Sequence, residues 1–306
     1  MKRLLRDRRA VFGATVLTLI ALVAVAAPLV SSGEPSAQPE VVALRFVPPL
    51  ARDQGGRLHV LGTDRFGRDV WTRLVYGARI SLAVGALAVL LSLALGVAVG
   101  GAAGFWPGPL ELLLLGLTDF ALALPRVVLL LLVAALWQPS AVLVIVVLGL
   151  TGWMAVARLV YGEVRSLAAR PFVASAVALG LPRVRVLVHH ILPNALTPVI
   201  VAAALGLGNA ITLEAGLSFL GLGVQPPTPS WGNMIASGRD TLVNAPWVAG
   251  APGLLLVLVV VACTLLGDAI QEALEPGGGA PQRARLALAF LTPSLLPPPP
   301  ARGAGA

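Results

Sequence analysis

Residues 80–104 read "ISLAVGALAVLLSLALGVAVGGAAG". The stretch is longer than the ~20 apolar residues that carry a helix across a hydrocarbon core. Lipid offers no partner to an exposed peptide group, so a segment of this kind is helical. Gly96, Gly100 and Gly104 recur at four-residue spacing. That puts three glycines on one face, where a second helix can approach closely. This one segment predicts a bundle of membrane helices.

Working outward, five more apolar runs stand at about 10–30, 112–136, 141–157, 195–220 and 248–270. The predicted fold class is all-α, a polytopic membrane helix bundle of about six spans. Composition agrees: 57% of the 306 residues are hydrophobic and 12% are charged, against about 25% charged in soluble domains. The net charge of +8 fits basic loops on one membrane face and argues against a nucleic-acid partner. Cys263 is the only cysteine, so no internal disulfide or thiolate metal site can form. The apolar run after the basic start is longer than the ~7–15 residues of a signal core. It therefore reads as an uncleaved first span.

Charge sets the expected orientation. Lys2, Arg3, Arg6, Arg8 and Arg9 precede the first span, which puts residues 1–9 in the cytoplasm. Six spans return the C-terminus to the same side. Segment 158–193 is then cytoplasmic too, and carries Arg158, Arg165, Arg170, Arg183 and Arg185 against one acid, Glu163. Segment 31–79 becomes an external loop despite its seven arginines. Residues 80–276 form the core with the other five spans. Residues 277–306 are rich in glycine and proline and are expected to be disordered.

Few polar residues fall inside the spans. Asp119 precedes Pro125, which should kink its helix, with Arg126 seven residues on from the acid. They mark either a kinked, cavity-lining helix or an interfacial acid beside a structural kink. Asn209 and Glu214 lie late in the fifth span. They belong either to the pathway or gate, or to the external interface. No zinc-binding histidine pair, nucleophile elbow or phosphate-binding glycine loop occurs. The sole lysine is Lys2, so the chain is not expected to be an enzyme, to hydrolyse ATP or to bind a metal or cofactor. An ion-coupled secondary transporter is the competing class, and it would need charges near the midplane and internal repeats.

The most unusual segment is "PFVASAVALGLPRVRVLVHHILPN", residues 171–194. Pro171 suits the first turn of a helix. Phe172, Ala176 and Leu179 should share one side of it, and Gly180 can end it in a left-handed conformation. A second helix then starts at Pro182, with Val184, Leu187, Val188 and Ile191 as its apolar stripe and Arg183 off it. Pro193 starts the next span. A helix–bend–helix of this kind is either a plain interfacial connector or a rigid knob that fits a partner's groove.

The segment resembles the coupling loop of ABC-importer permeases. Ala174, Ser175 and Ala176 match its small-residue triplet, Gly180 its glycine, and Leu192-Pro193 its end. Ala174 stands where that family has a glutamate, and His190 where it has a hydrophobic residue. The resemblance thus implies docking by shape, with more of the contact on Phe172 and the small residues. "LGTDRFGRDVWTRLVYGARISL" (61–82), "TDFALALP" (118–125), "GLSFLGLGVQPPTPSWGNMI" (216–235) and "LLGDAIQEALEP" (265–276) are similar to the dipeptide/oligopeptide/nickel permeases, specifically their second permease subunit. The resemblance implies a bacterial plasma-membrane permease with a second homologous permease, two ATPase subunits that use the ATP, and an external solute-binding protein. Peptides, nickel or other small solutes would be its cargo. In the external stretches, alternating Asp and Arg around Gly62 and Gly67 suit a salt-bridged turn, and Trp231 suits a membrane interface.

Overall fold

The computed structural model describes residues 4–31, 33–38 and 41–274. The expectation for the tail 277–306 lies outside them. Asp7 opens helix α1 (Arg8–Val25) by accepting the Arg9 backbone N–H at 2.9 Å, a side-chain cap on an otherwise orphan donor. A short helix α2 (Ala27–Val30) follows. Strands β1 (Ala51–Arg52) and β2 (Leu58–His59) then form a small antiparallel hairpin. Asp69 caps α3 (Val70–Phe105) by accepting the Thr72 N–H at 2.8 Å. The loop before α3 therefore ends at residue 69, ten residues before the expected boundary. The cap and the absence of a breaker let the helix start ten residues before its apolar run.

The third span is divided into α4 (Pro109–Ala123) and α5 (Arg126–Leu136), which meet at 82°. Pro125 denies Leu124 a helical conformation, and Leu124 is extended at φ −80°, ψ 131°. The expected kink is a full break. The fourth span, α6 (Ala141–Ala168), is 28 residues long. It outruns the apolar stretch 141–157 because Arg158, Glu163 and Arg165 are good helix formers and no proline intervenes before Pro171.

Next come α7 (Pro171–Ala178) and α8 (Arg183–Val186). A π-helical turn over Leu187–Ile191 leads into α9 (Leu192–Ala195) and α10 (Thr197–Phe219). A short α11 (Trp231–Gly238) and the final α12 (Trp247–Leu274) complete the chain.

Packing shows how the helices cross. At one end of the bundle Arg9 of α1 meets Glu272 of α12 at 2.5 Å, and Glu111 of α4 accepts the Tyr161 hydroxyl of α6 at 2.7 Å. At the other end Trp247 donates its Nε1–H to Thr63 O and Trp71 donates to Val30 O. Leu130 of α5 packs there with Val144 and Val147 of α6 and Val84 of α3. Among the described residues five helices are long and apolar enough to cross a membrane, and the broken α4–α5 pair makes six if it is one span. The Arg9–Glu272 contact puts the start of α1 and the end of α12 at the same end of the bundle. The glycine face of α3 lies against α6: a Cβ at Gly96 would stand 2.5 Å from Val156 Cβ, and one at Gly104 2.9 Å from Val164 Cβ. Only hydrogen atoms fit at these points.

Beyond the second end, the loop before α3 is held by ion pairs. Asp64 bonds Arg68 at 2.7 Å and lies 3.8 Å from Arg73, all three buried. His59 bonds Asp69 at 2.7 Å. Gly62 and Gly67 both take positive φ, as the turn between these pairs requires. Trp231 is not interfacial: it is fully buried, and its Nε1–H reaches Leu74 O at 3.2 Å. Helix α11 has folded back among α3, α10 and α12, where an indole fills the core and finds its one acceptor.

Candidate functional site

Helix α7 carries the coupling-loop candidates. Pro171 is its first residue. Its end is a Schellman turn: Leu181 N–H bonds Ala176 O at 3.3 Å, Gly180 N–H bonds Val177 O at 3.0 Å, and Gly180 has φ 80°. Val173 and Ala176 face inward, joining Val160, Val164 and Leu167 of α6. Val186, Leu187 and Ile191 close the same cluster from the other side. The knob is therefore packed onto the end of α6 as one body.

Two expected faces are redrawn. Ala176 is buried while Phe172 and Leu179 are exposed. Their 100° steps around the short helix separate them once Val173 takes the inward position. In the following helix the buried set is Val186, Leu187 and Ile191, and Val184 and Val188 are exposed. The π turn at Leu187–Ile191 adds a residue to the ladder and rotates the stripe. Ala174, Ser175 and Arg183 lie on the outside. Leu192 is half-buried and Pro193 exposed, in α9 just before α10. The outer surface of the knob is thus Phe172, Ala174, Ser175, Val177 and Leu179, without a carboxylate.

A cavity of about 340 Å³ opens between α3, the start of α5, α6 and α10. Its walls are mostly small or apolar, with Ala88, Leu148 and Val156 among them, and its polar groups are Ser92, Arg126 and Asn209. Of the four expected pathway residues, Asn209 alone lines it. Pro125 contributes by turning the chain so that Arg126 enters. Asp119 does not share a face with Arg126: it pairs with Arg158 and is half-exposed. The 82° break sends the two side chains in different directions.

Glu214 is fully buried. It accepts the Ser218 hydroxyl at 2.7 Å and the Ser81 hydroxyl at 3.0 Å. Those hydroxyls in turn accept the backbone N–H groups of Val224 and Trp231, at 3.0 and 3.2 Å. The carboxylate pins the segment leading into α11 onto α3 and α10. Ser218 is one helical turn from Glu214 and could have been read from the sequence. Ser81, 133 residues away, could not. Nor could Ser92 and Gly152, which meet Arg126 only through tertiary packing.

Comparison with known proteins agrees with this architecture. Residues 78–277 match the family model described as binding-protein-dependent transport system inner membrane component. Residues 1–49 match the N-terminal TM domain of oligopeptide transport permease C. The dipeptide transport system permease protein DppC of Alkalihalophilus pseudofirmus is 38% identical over 276 residues, covering 90% of this chain and 88% of that one. The di/tripeptide transport system permease protein DppC of Pseudomonas aeruginosa is 38% identical over 270 residues, covering 88% of each. In fold, the chain resembles the inward-facing MetNI methionine ABC transporter at a TM-score of 0.54 and 20% identity, over 67% of this chain and 97% of that one. With five or six candidate spans among the described residues, the chain is a multi-pass membrane protein and belongs to the family of binding-protein-dependent transport system inner membrane components.

Proposed function

We propose that the chain is the second of two permease subunits of an ATP-driven peptide importer. It works with a homologous permease, a pair of cytoplasmic ATPases and an extracytoplasmic binding protein. Its relatives are named as dipeptide and peptide permeases, which favours peptides over nickel or ions. The cytoplasmic side is the one bearing Arg9, Glu272 and the 171–193 knob, in keeping with the arginines there.

One observation carries the mechanism. Helix α6 forms a wall of the cavity at Leu148, Gly152 and Val156, and at its other end holds the knob through Val160, Val164 and Leu167. A single helix thus links the docking surface to the pathway. When the ATPases close on ATP, the knob moves, α6 moves with it, and the cavity changes the side to which it opens. Phe172 and Leu179 supply the apolar grip that the absent glutamate does not.

The test is peptide uptake by the full complex in proteoliposomes, with Leu179→Asp and Gly180→Val. A Cβ at 180 would meet nothing within 4 Å, so Gly180→Val acts chiefly through backbone strain, about 1–2 kcal/mol at this positive φ. Both variants are expected to lower uptake severalfold while ATP hydrolysis continues. Uptake at the wild-type level in both would sink the role of the knob. Uptake without ATP would instead favour the ion-coupled carrier.

A further inference from the structure

We propose that Arg126 anchors the carboxylate of the transported solute inside the cavity. The inference rests on the peptide-permease reading and goes beyond it, by naming the chemical group recognised and the residue that recognises it.

The charge is out of place unless something answers it. Arg126 is the first residue of α5 and its side chain lines a mostly apolar cavity. A guanidinium within a membrane span is costly unless it faces a partner or water. Among the described residues no carboxylate pairs with it. Its one hydrogen bond there runs from Nε to Thr151 Oγ1 at a long 3.4 Å. Neighbouring arginines differ: Arg158 takes Asp119, and Arg165 lies 3.7 Å from Glu111. A guanidinium carries five N–H donors, so most of this one's capacity is uncommitted.

The surroundings leave room for an anion. Gly152 of α6 faces Ser92 and Arg126: a Cβ there would stand 2.7 Å from Ser92 Oγ and 3.4 Å from Arg126 Nη2. A side chain of any size would fill the space between them. Ser92 and Asn209 add hydrogen-bonding groups to the same walls. The N-terminal end of α5 contributes partial positive charge of the same sign. The volume of about 340 Å³ falls within the roughly 300–1,000 Å³ of clefts that hold small ligands.

The planar fork of arginine matches a carboxylate with two parallel hydrogen bonds. The C-terminal carboxylate is the group that peptides share whatever their side chains. Anchoring it while small apolar walls contact the rest would pass many sequences and reject solutes without the acid.

The experiment uses the full complex in proteoliposomes, with the binding protein saturated in turn by trialanine and by trialanine amide. Saturation is checked separately, so that capture does not set the result. The wild-type complex is expected to take up the acid at least tenfold faster than the amide. Arg126→Gln should shrink that ratio to near one, and Arg126→Lys should restore part of it. Gly152→Val, which keeps the charge and fills the space, should slow uptake of the acid. A wild-type complex that takes up acid and amide alike overturns the proposal without any variant. So does an acid-to-amide ratio unchanged in Arg126→Gln. A wild-type complex that takes up neither peptide overturns the peptide reading beneath it.

Discussion

Replacing Gly100 with alanine should loosen the bundle, whereas replacing Gly162 with alanine should tighten it. Both glycines sit inside long helices, α3 and α6. There alanine is favoured over glycine by about 0.5–1 kcal/mol. A methyl at 162 meets nothing within 4 Å, so it receives that gain alone. A methyl at 100 would press into the Ala157 carbonyl, with Ala157 Cα at 3.0 Å. Backbone cannot rotate away, so α3 and α6 have to part. Overpacking of this kind costs about 1–3 kcal/mol. Subtracting the helix gain leaves a net loss of roughly 0.5–2 kcal/mol. Separation would also strip contacts from Gly96 and Gly104 on the same face, which favours the upper end. Cys263 is 1% exposed and is the only cysteine, so a thiol-reactive dye reports unfolding without engineering. At about 2–4 °C per kcal/mol for chains of 150–250 residues, Gly100→Ala should unfold a few degrees earlier and Gly162→Ala slightly later. Equal shifts in both, or a Gly100→Ala protein as stable as wild type, would refute the close packing of α3 on α6.

Two further outcomes are expected. Glu214→Ala deprives the Ser81 and Ser218 hydroxyls of their acceptor, at about 1–3 kcal/mol for each buried group left unpaired. Cys263 labelling at lower temperature and new protease cleavage within 221–238 would show it, and an unchanged cleavage pattern would count against the pinning role. Asp53 accepts the Arg57 backbone N–H at 2.8 Å, and this bond is the main cause holding its carboxyl below 3.8, with His59 adding to it. A depressed folded value means the bond steadies the hairpin above about pH 4 and lets go as pH falls through the lowered value. The Arg57 amide resonance should therefore titrate with a midpoint below the ordinary aspartate value, and Asp53→Asn should abolish that titration.

Much of the bundle is legible in the sequence because lipid imposes one rule on every span. The glycine face of α3 could be read from spacing alone, and so could the left-handed end of α7 at Gly180. What escaped depends on local geometry or on long-range packing. Pro125 announced a bend, but its 82° angle decides that Arg126 and not Asp119 enters the cavity. The π turn at Leu187–Ile191 shifts a stripe that straight helical counting placed on Val184 and Val188. Trp231 carries the same side chain at an interface or in a core; only the return of α11 between α3 and α12 distinguishes them. Asn209 and Glu214 lie about 140° apart around one helix, so one faces the cavity and the other the serines.

The length of α6 has a consequence for where coupling takes place. Twenty-eight residues at 1.5 Å each reach about 42 Å, against a hydrocarbon layer of about 30 Å. Roughly two turns of the helix therefore stand clear of the lipid. Glu163 and Arg165 occupy this emergent part, and Arg158 lies at its base. The contact surface is lifted into water on a stalk, beyond the headgroups. A bilayer a few ångströms thicker or thinner would change how much of the stalk is wetted. It would leave unchanged the shape that Phe172, Val177 and Leu179 present to whatever approaches from the solvent.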